Sequence, residues 1–234
     1  SFGGAGVVTP THSAALSPTS GTLSIDLHPQ FESRQTVLWA GEDAPHGRYF
    51  VDSGRVGEGY LRLTRTIDVP AAADADKHLN LRIKHGGYDP WNTVFVEAHT
   101  VGQDDWTTLP DANGHTRPGA QLSACRYADW FTRHPQLAHY LTLQAARVPV
   151  NCSPGGTTGV WNASTGASEG WEEWSINLAR FAGRQVEIAI SHVGWAETTG
   201  LAIDMIRVPG DAAAVYFGDG GTIDGMVVHT LPGR

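Results

Sequence analysis

The chain has 234 residues, 41% hydrophobic and 17% charged, with a formal charge of −8 at pH 7. That is apolar enough for a real core, and too acidic for a phosphate backbone or an anionic lipid surface, so nucleic acid and membrane are excluded as partners. The 28 glycines and 13 prolines require many turns, and no apolar run approaches the length of a membrane span.

Residues 1–30 open on SFGGAGVVTPTHSAALSPTSG, which lacks the charged and apolar regions of a signal peptide. They are read as an N-terminal strand or leader segment. Strand-like runs then follow at GTLSID (21–26), TVLWAG (36–41), YLRLTRTIDV (60–69), HLNLRIKH (78–85) and TVFVEAHTV (93–101). Leu79, Leu81 and Ile83 alternate with His78, Asn80 and Arg82, the period of a strand with one buried face. The stretch 110–171 carries few such patterns and is long for a loop. It holds one helix candidate, 127–146, interrupted by Pro135. Strands resume at EEWSINL (172–178), and LARFAGRQV predicts a single helical turn closed by Gly183 before QVEIAISHVG (185–194).

The last strand of the set, LAIDMIRV (201–208), contains an acid. Strict alternation places Leu201, Ile203 and Met205 on one face and Ala202, Asp204, Ile206 and Val208 on the other. A carboxylate among apolar residues needs a partner. Many short strands separated by turn clusters predict an all-β, antiparallel β-sandwich over residues 31–208. Residues 209–234 are read as a linker or the start of a further module.

Cys125 and Cys152 are the only cysteines, and both lie inside the 110–171 excursion, without zinc-ligand spacing. The expectation is a disulfide that pins the insert together with Trp130, Phe131 and Tyr140, and hence an oxidising, extracellular compartment. The alternative is two unpaired thiols.

Catalytic motifs are missing. No histidine has a Glu three positions on, and there is neither HExxH nor GxSxG, so the chain itself is not expected to be an enzyme. Adjacent acids such as Glu172 with Glu173 and Asp104 with Asp105 point to opposite faces of a strand and do not form a catalytic pair by themselves. A free-standing hydrolase would need acids brought together by the fold. His134 and His139, five apart across Pro135, are read as loop or surface residues. Of the eight tryptophans, Trp91, Trp130 and Trp161 fall in loops and are candidate ligand-stacking residues, whereas Trp171, Trp174 and Trp195 fall in strand or turn patterns that suit core packing.

YLRLTRTIDVP followed by LNLRIKHGGYDPWNTVFVEAHTVGQDDWTTL resembles the strand pair of accessory modules in bacterial secreted metallopeptidases, including the immune inhibitor A type. The run CSPGGTTGVWNASTGASEGWEEWSINLARFAGRQVEIAISHVGWAETTGLAIDMIRV is similar to the end of the C-terminal module of bacterial zinc carboxypeptidases. The resemblance implies a jelly-roll, non-catalytic accessory module. Such a module would stabilise or position the peptidase's catalytic domain, or bind an extracellular protein or polysaccharide substrate. It also implies a structural Ca²⁺ between Glu32 and Asp204, since carboxylates and turn carbonyls suit that ion. The alternative partner for Asp204 is an arginine, Arg34 or Arg207. A carbohydrate-binding module is the rival reading of the whole chain.

Overall fold

The computed structural model describes residues 24–26, 37–40, 44–46, 49–52, 59–86, 92–120, 122, 125, 131, 133–144, 151–194, 200–211 and 226–231. The first seven strands are β1 (Ser24–Asp26), β2 (Val37–Ala40), β3 (Tyr49–Asp52), β4 (Tyr60–Asp68), β5 (His78–His85), β6 (Asn92–Thr100) and β7 (Thr107–Leu109), and all but β3 and β7 fall in the strand-like runs of the sequence. In the insert lie β8 (Thr142–Gln144), β9 (Asn151–Ser153) and β10 (Ser164–Thr165). After it come β11 (Glu172–Asn177), β12 (Gln185–Gly194), β13 (Leu201–Arg207) and β14 (Met226–Leu231). No helix among the described residues is long and apolar enough to cross a membrane.

Two sheets make the expected all-β sandwich. One has the order β1-β14-β4-β12-β6-β10, with β7 also on β6, and the other the order β11-β5-β13-β3-β2. The chain changes sheet from β4 to β5, β5 to β6, β11 to β12 and β12 to β13, in jelly-roll manner. Pairing is antiparallel except between β1 and β14. The segment after residue 208, expected as a linker or a further module, supplies β14 to the first sheet, where it pairs with β4. The helical turn before β12 is present as a 3-10 turn at Ala179–Phe181, and Gly183 follows it at φ 75°, a conformation that favours glycine. Pro135 ends the expected long helix by opening a 3-10 turn of its own, Pro135–His139.

The main core lies between the sheets. Leu79, Leu81 and Ile83 of β5, with Trp174 and Ile176 of β11, meet Val94, Val96 and Ala98 of β6 and Val186, Ile188 and Ile190 of β12. Each large aliphatic side chain so buried contributes about 1.5–3 kcal/mol.

β13 departs from strict alternation. Its register against β5 shifts between Asp204 and Arg207, and Met205 takes φ 53°. A left-handed residue that is not glycine costs about 1–2 kcal/mol. The bulge turns Ile206 and Val208 into the core beside Leu201 and Ile203. Asp204 is thereby parted from Ile206 and Val208, which strict alternation puts on its face. The extra residue of a bulge is what a period-2 reading cannot supply.

The insert covers the outer face of the first sheet. On that face Tyr60 of β4, Phe95 of β6 and Val193 of β12 would expose apolar area. They are buried instead under Leu137, Tyr140, Leu141, Trp161 and the Cys125–Cys152 disulfide, with Phe131 packed against the cluster. The expected disulfide is formed, with Cα atoms 5.7 Å apart and the cysteines 27 positions apart in the sequence. Closing a loop of that size stabilises the fold by about 3 kcal/mol in the chain-entropy model.

At the centre of this second interface is a buried acid. Glu97 of β6 is 0% exposed. Its carboxylate accepts from Tyr60 Oη at 2.9 Å, Arg62 Nε at 2.8 Å, Ser191 Oγ at 2.6 Å and Tyr140 Oη. Burial and the nearby carboxylate both push the Tyr60 and Tyr140 phenols well above their usual pKa, which keeps them as neutral donors. Three of the donors come from the sheet, and Tyr140 comes from the insert.

Candidate functional site

β11 is an edge strand, and an open edge invites pairing with another chain. Here the start of the insert closes it. Asp111 bridges to Ile176, Ser175 N donates to Asp111 Oδ1 at 2.7 Å, Ala112 N donates to Ser175 O at 2.8 Å, and Asn113 Nδ2 donates to Glu173 O at 2.7 Å. The end of the insert runs into β11 at 169–171. Between the insert's two ends is a cavity of about 590 Å³, lined by Asn113, His115, Glu169, Gly170, Trp171, Glu172 and Glu173. Its size is that of a small-ligand site.

Each wall is held by a defined contact. His115 Nδ1 lies 2.7 Å from Asp111 Oδ2, and its ring is parallel to the buried Trp174 at 6.2 Å. Trp171 stands edge-on to Phe50, ring centroids 5.3 Å apart. Its Nε1 is buried and has no hydrogen-bond acceptor among the described residues. Glu172 Oε2 accepts from Trp174 Nε1 at 2.9 Å, and Glu173 pairs with Arg82 at 3.0 Å on the outer face of the sheet. The two adjacent acids do point opposite ways, as alternation requires.

Behind Glu172 is a sealed polar layer. His85 Nε2 lies 3.8 Å from Glu172 Oε2 and 3.3 Å from Ser164 Oγ, while its Nδ1 lies 2.9 Å from the Gly166 carbonyl. That carbonyl also accepts from Asn92 Nδ2 at 3.1 Å, and Asn92 Oδ1 meets His192 Nε2. Burial lowers the His85 pKa and takes that of His192 down to about 3. Under the insert, His134 is 1% exposed, a core histidine and not a surface one, and burial with the neighbouring Arg133 takes its pKa down to about 4.

The expected site residues fare differently. Cys125 and Cys152 are bonded to each other. Trp161 is corrected: it is 0% exposed, its Nε1 donates to Ala120 O at 2.6 Å, and its ring packs against Phe95, so it cannot stack on a surface ligand. An aromatic in a loop turns inward here because the sheet face beneath it is itself apolar. Asp204 is buried at 0% exposure, two strands in from β11. It accepts His46 N at 3.2 Å and Met205 N at 2.8 Å. Arg207, one of its expected partners, pairs with Asp76 at 3.0 Å instead. Glu32, Arg34, Trp91, Trp130 and Trp195 lie outside the described residues.

Sequence reasoning missed the cavity. Trp171 was assigned to the core, and Asn113, His115 and Glu169 were passed over. The available signal was the run EGWEEW, which sets three acids and two indoles in six residues at the start of an edge strand.

The buried histidines carry a pH dependence with a definite sign. Their folded-state pKa values lie below the ordinary value of about 6.5, so the unfolded chain binds protons that the folded chain does not. Stability is complete above pH 6.5 and falls as the pH drops from there toward 4, where His134 begins to titrate in the folded state. Each neutral buried histidine steepens the fall by up to about 1.4 kcal/mol per pH unit. Urea unfolding from pH 7.5 to 4.5 should show this slope, and His192→Gln should flatten it by about one proton.

No family model matches the chain, and no curated protein matches it.

Proposed function

We propose that the chain is a non-catalytic, extracellular accessory module that holds a ligand for, or positions, a catalytic domain, as its resemblance to the modules of secreted zinc carboxypeptidases implies. The observation that carries this reading is the cavity at the start of β11: preformed, polar, flanked by an indole, and fixed by backbone bonds to a closed sheet edge. The disulfide suits an oxidising compartment.

A serine-type version of the hydrolase reading would use the contact between Ser164 and His85. That contact supports it poorly. The third member is the Gly166 carbonyl and not a carboxylate, and the His85 side chain is 1% exposed, so a substrate has no way to the base. A carbohydrate-binding surface loses Trp161 to the core, and Trp171 is left as the indole at the cavity.

Two experiments test the proposal. The purified chain should release no C-terminal residue from blocked dipeptides, with or without added Zn²⁺, and a fluorophosphonate probe should leave Ser164 unlabelled. Turnover or labelling would make the chain an enzyme. A structural Ca²⁺ shared by Asp204 and Glu32 belongs to the same proposal, as the resemblance implies, because carboxylates and turn carbonyls suit that ion. Chelation should then lower the melting temperature, and Asp204→Asn should abolish that response. An unchanged melting curve would remove the ion.

A further inference from the structure

The polar atoms that the fold leaves unused around the cavity are almost all acceptors. Asn113 has committed its Nδ2 to Glu173 O, which leaves Oδ1. His115 has committed its Nδ1 to Asp111 Oδ2, which leaves Nε2. Glu172 has one oxygen on Trp174 and the other unengaged. Glu169 is exposed and has no hydrogen bond or ion pair among the described residues. The indole N–H of Trp171 has no acceptor among the described residues but is buried away from the cavity's solvent.

Charge points the same way. Of the three carboxylates, Glu173 is neutralised by Arg82 at 3.0 Å. The basic atom near Glu172 is His85 Nε2 at 3.8 Å, on a ring that burial keeps neutral. Glu169 and Glu172 therefore face the cavity uncompensated. A wall of acceptors with surplus negative charge is matched by a ligand that brings several N–H donors and a positive charge. Ammonium has three such donors and guanidinium has five. A metal ion is a poorer match, because no three His, Cys, Asp or Glu side chains converge to hold one among the described residues.

We infer that the cavity takes the side chain of a lysine or arginine residue in an extracellular protein or peptide, with the cation among Glu169, Glu172 and Asn113 and its stem along Trp171. This rests on the accessory-module reading and names the ligand class of that site. The indole supplies a flat apolar wall for the stem and a π-face for the cation. The volume, about 590 Å³, holds one long side chain with its adjoining backbone.

The test is titration calorimetry of the intact chain with N-acetylated, C-amidated pentapeptides of glycine that carry one central Arg, Lys, citrulline or norleucine. The Arg and Lys peptides should bind, and the neutral isosteres should bind at least tenfold more weakly. Glu169→Gln, at an exposed position where folding is not at stake, should weaken the Arg peptide about tenfold. Equal binding of citrulline and arginine, or an unaffected Glu169→Gln variant, would overturn the inference. A glucosamine oligomer that binds in place of the peptides would overturn the peptide assignment. Binding of a neutral oligosaccharide alone would overturn the cationic class while leaving the module reading intact. Hydrolysis of any of these probes would overturn the module reading itself.

Discussion

A single buried carboxylate ties the two halves of this structure together. Glu97 sits on the outer face of the first sheet, fully removed from solvent, and gathers Tyr60, Arg62 and Ser191 from the sheet with Tyr140 from the insert. A charge in that position is tolerable only when it is paired and its lone pairs are filled. The sheet alone cannot do this. Without the insert, Glu97 would lose the Tyr140 hydroxyl, and Phe95 and Tyr60 would lose the cover of Trp161 and Leu137. Polar satisfaction and apolar burial thus demand the same docked arrangement, and the Cys125–Cys152 bond restricts the loop to conformations that can reach it.

The cavity follows from that docking. Its walls are the two ends of the insert: Asn113 and His115 where the chain leaves the sandwich, and Glu169 and Trp171 where it returns. The departing end is fastened to β11 by Asp111 and Asn113, and the returning end becomes β11 itself. Two ends of one insert meet on one strand because β11 is the edge of its sheet and has backbone groups left to bond. Closing a reactive edge and building a concave site are accomplished by the same few hydrogen bonds.

Much of the sandwich was legible because one face of most strands is buried. Leu79, Leu81 and Ile83 alternate with polar residues, Val186, Ile188 and Ile190 alternate with Glu187 and Ala189, and all six lie in the core between the sheets. Tyr49–Asp52 and Thr107–Leu109 escaped notice because runs of three or four residues are too short to show a period. The bulge at Met205 was illegible for a different reason: it is an extra residue, visible only against the register of a partner strand. Glu97 stood in plain view in VFVEAH, yet its role depends on Tyr140, 43 residues away in the chain. Trp161 shows the converse error. Its loop setting suggests exposure, but the sheet face beneath it carries Tyr60, Phe95 and Val193, whose burial requires an apolar cover.

The dependence of the insert on Glu97 can be measured directly by native-state hydrogen exchange in Glu97→Gln against the parent chain. The informative amides are Leu141, bonded to Leu137 O at 2.8 Å, and Arg117, bonded to Ala163 O at 2.9 Å, compared with amides of β12 in the middle of the sheet. Removing one partner of a buried ion pair costs about 3–5 kcal/mol. If Glu97 holds the insert down, the insert amides should exchange faster by about a hundredfold or more, with every 1.4 kcal/mol worth a factor of ten, while β12 keeps more of its protection. Equal loss of protection in insert and sheet, or no loss in either, would contradict the account, because the insert would then not be docked through that carboxylate.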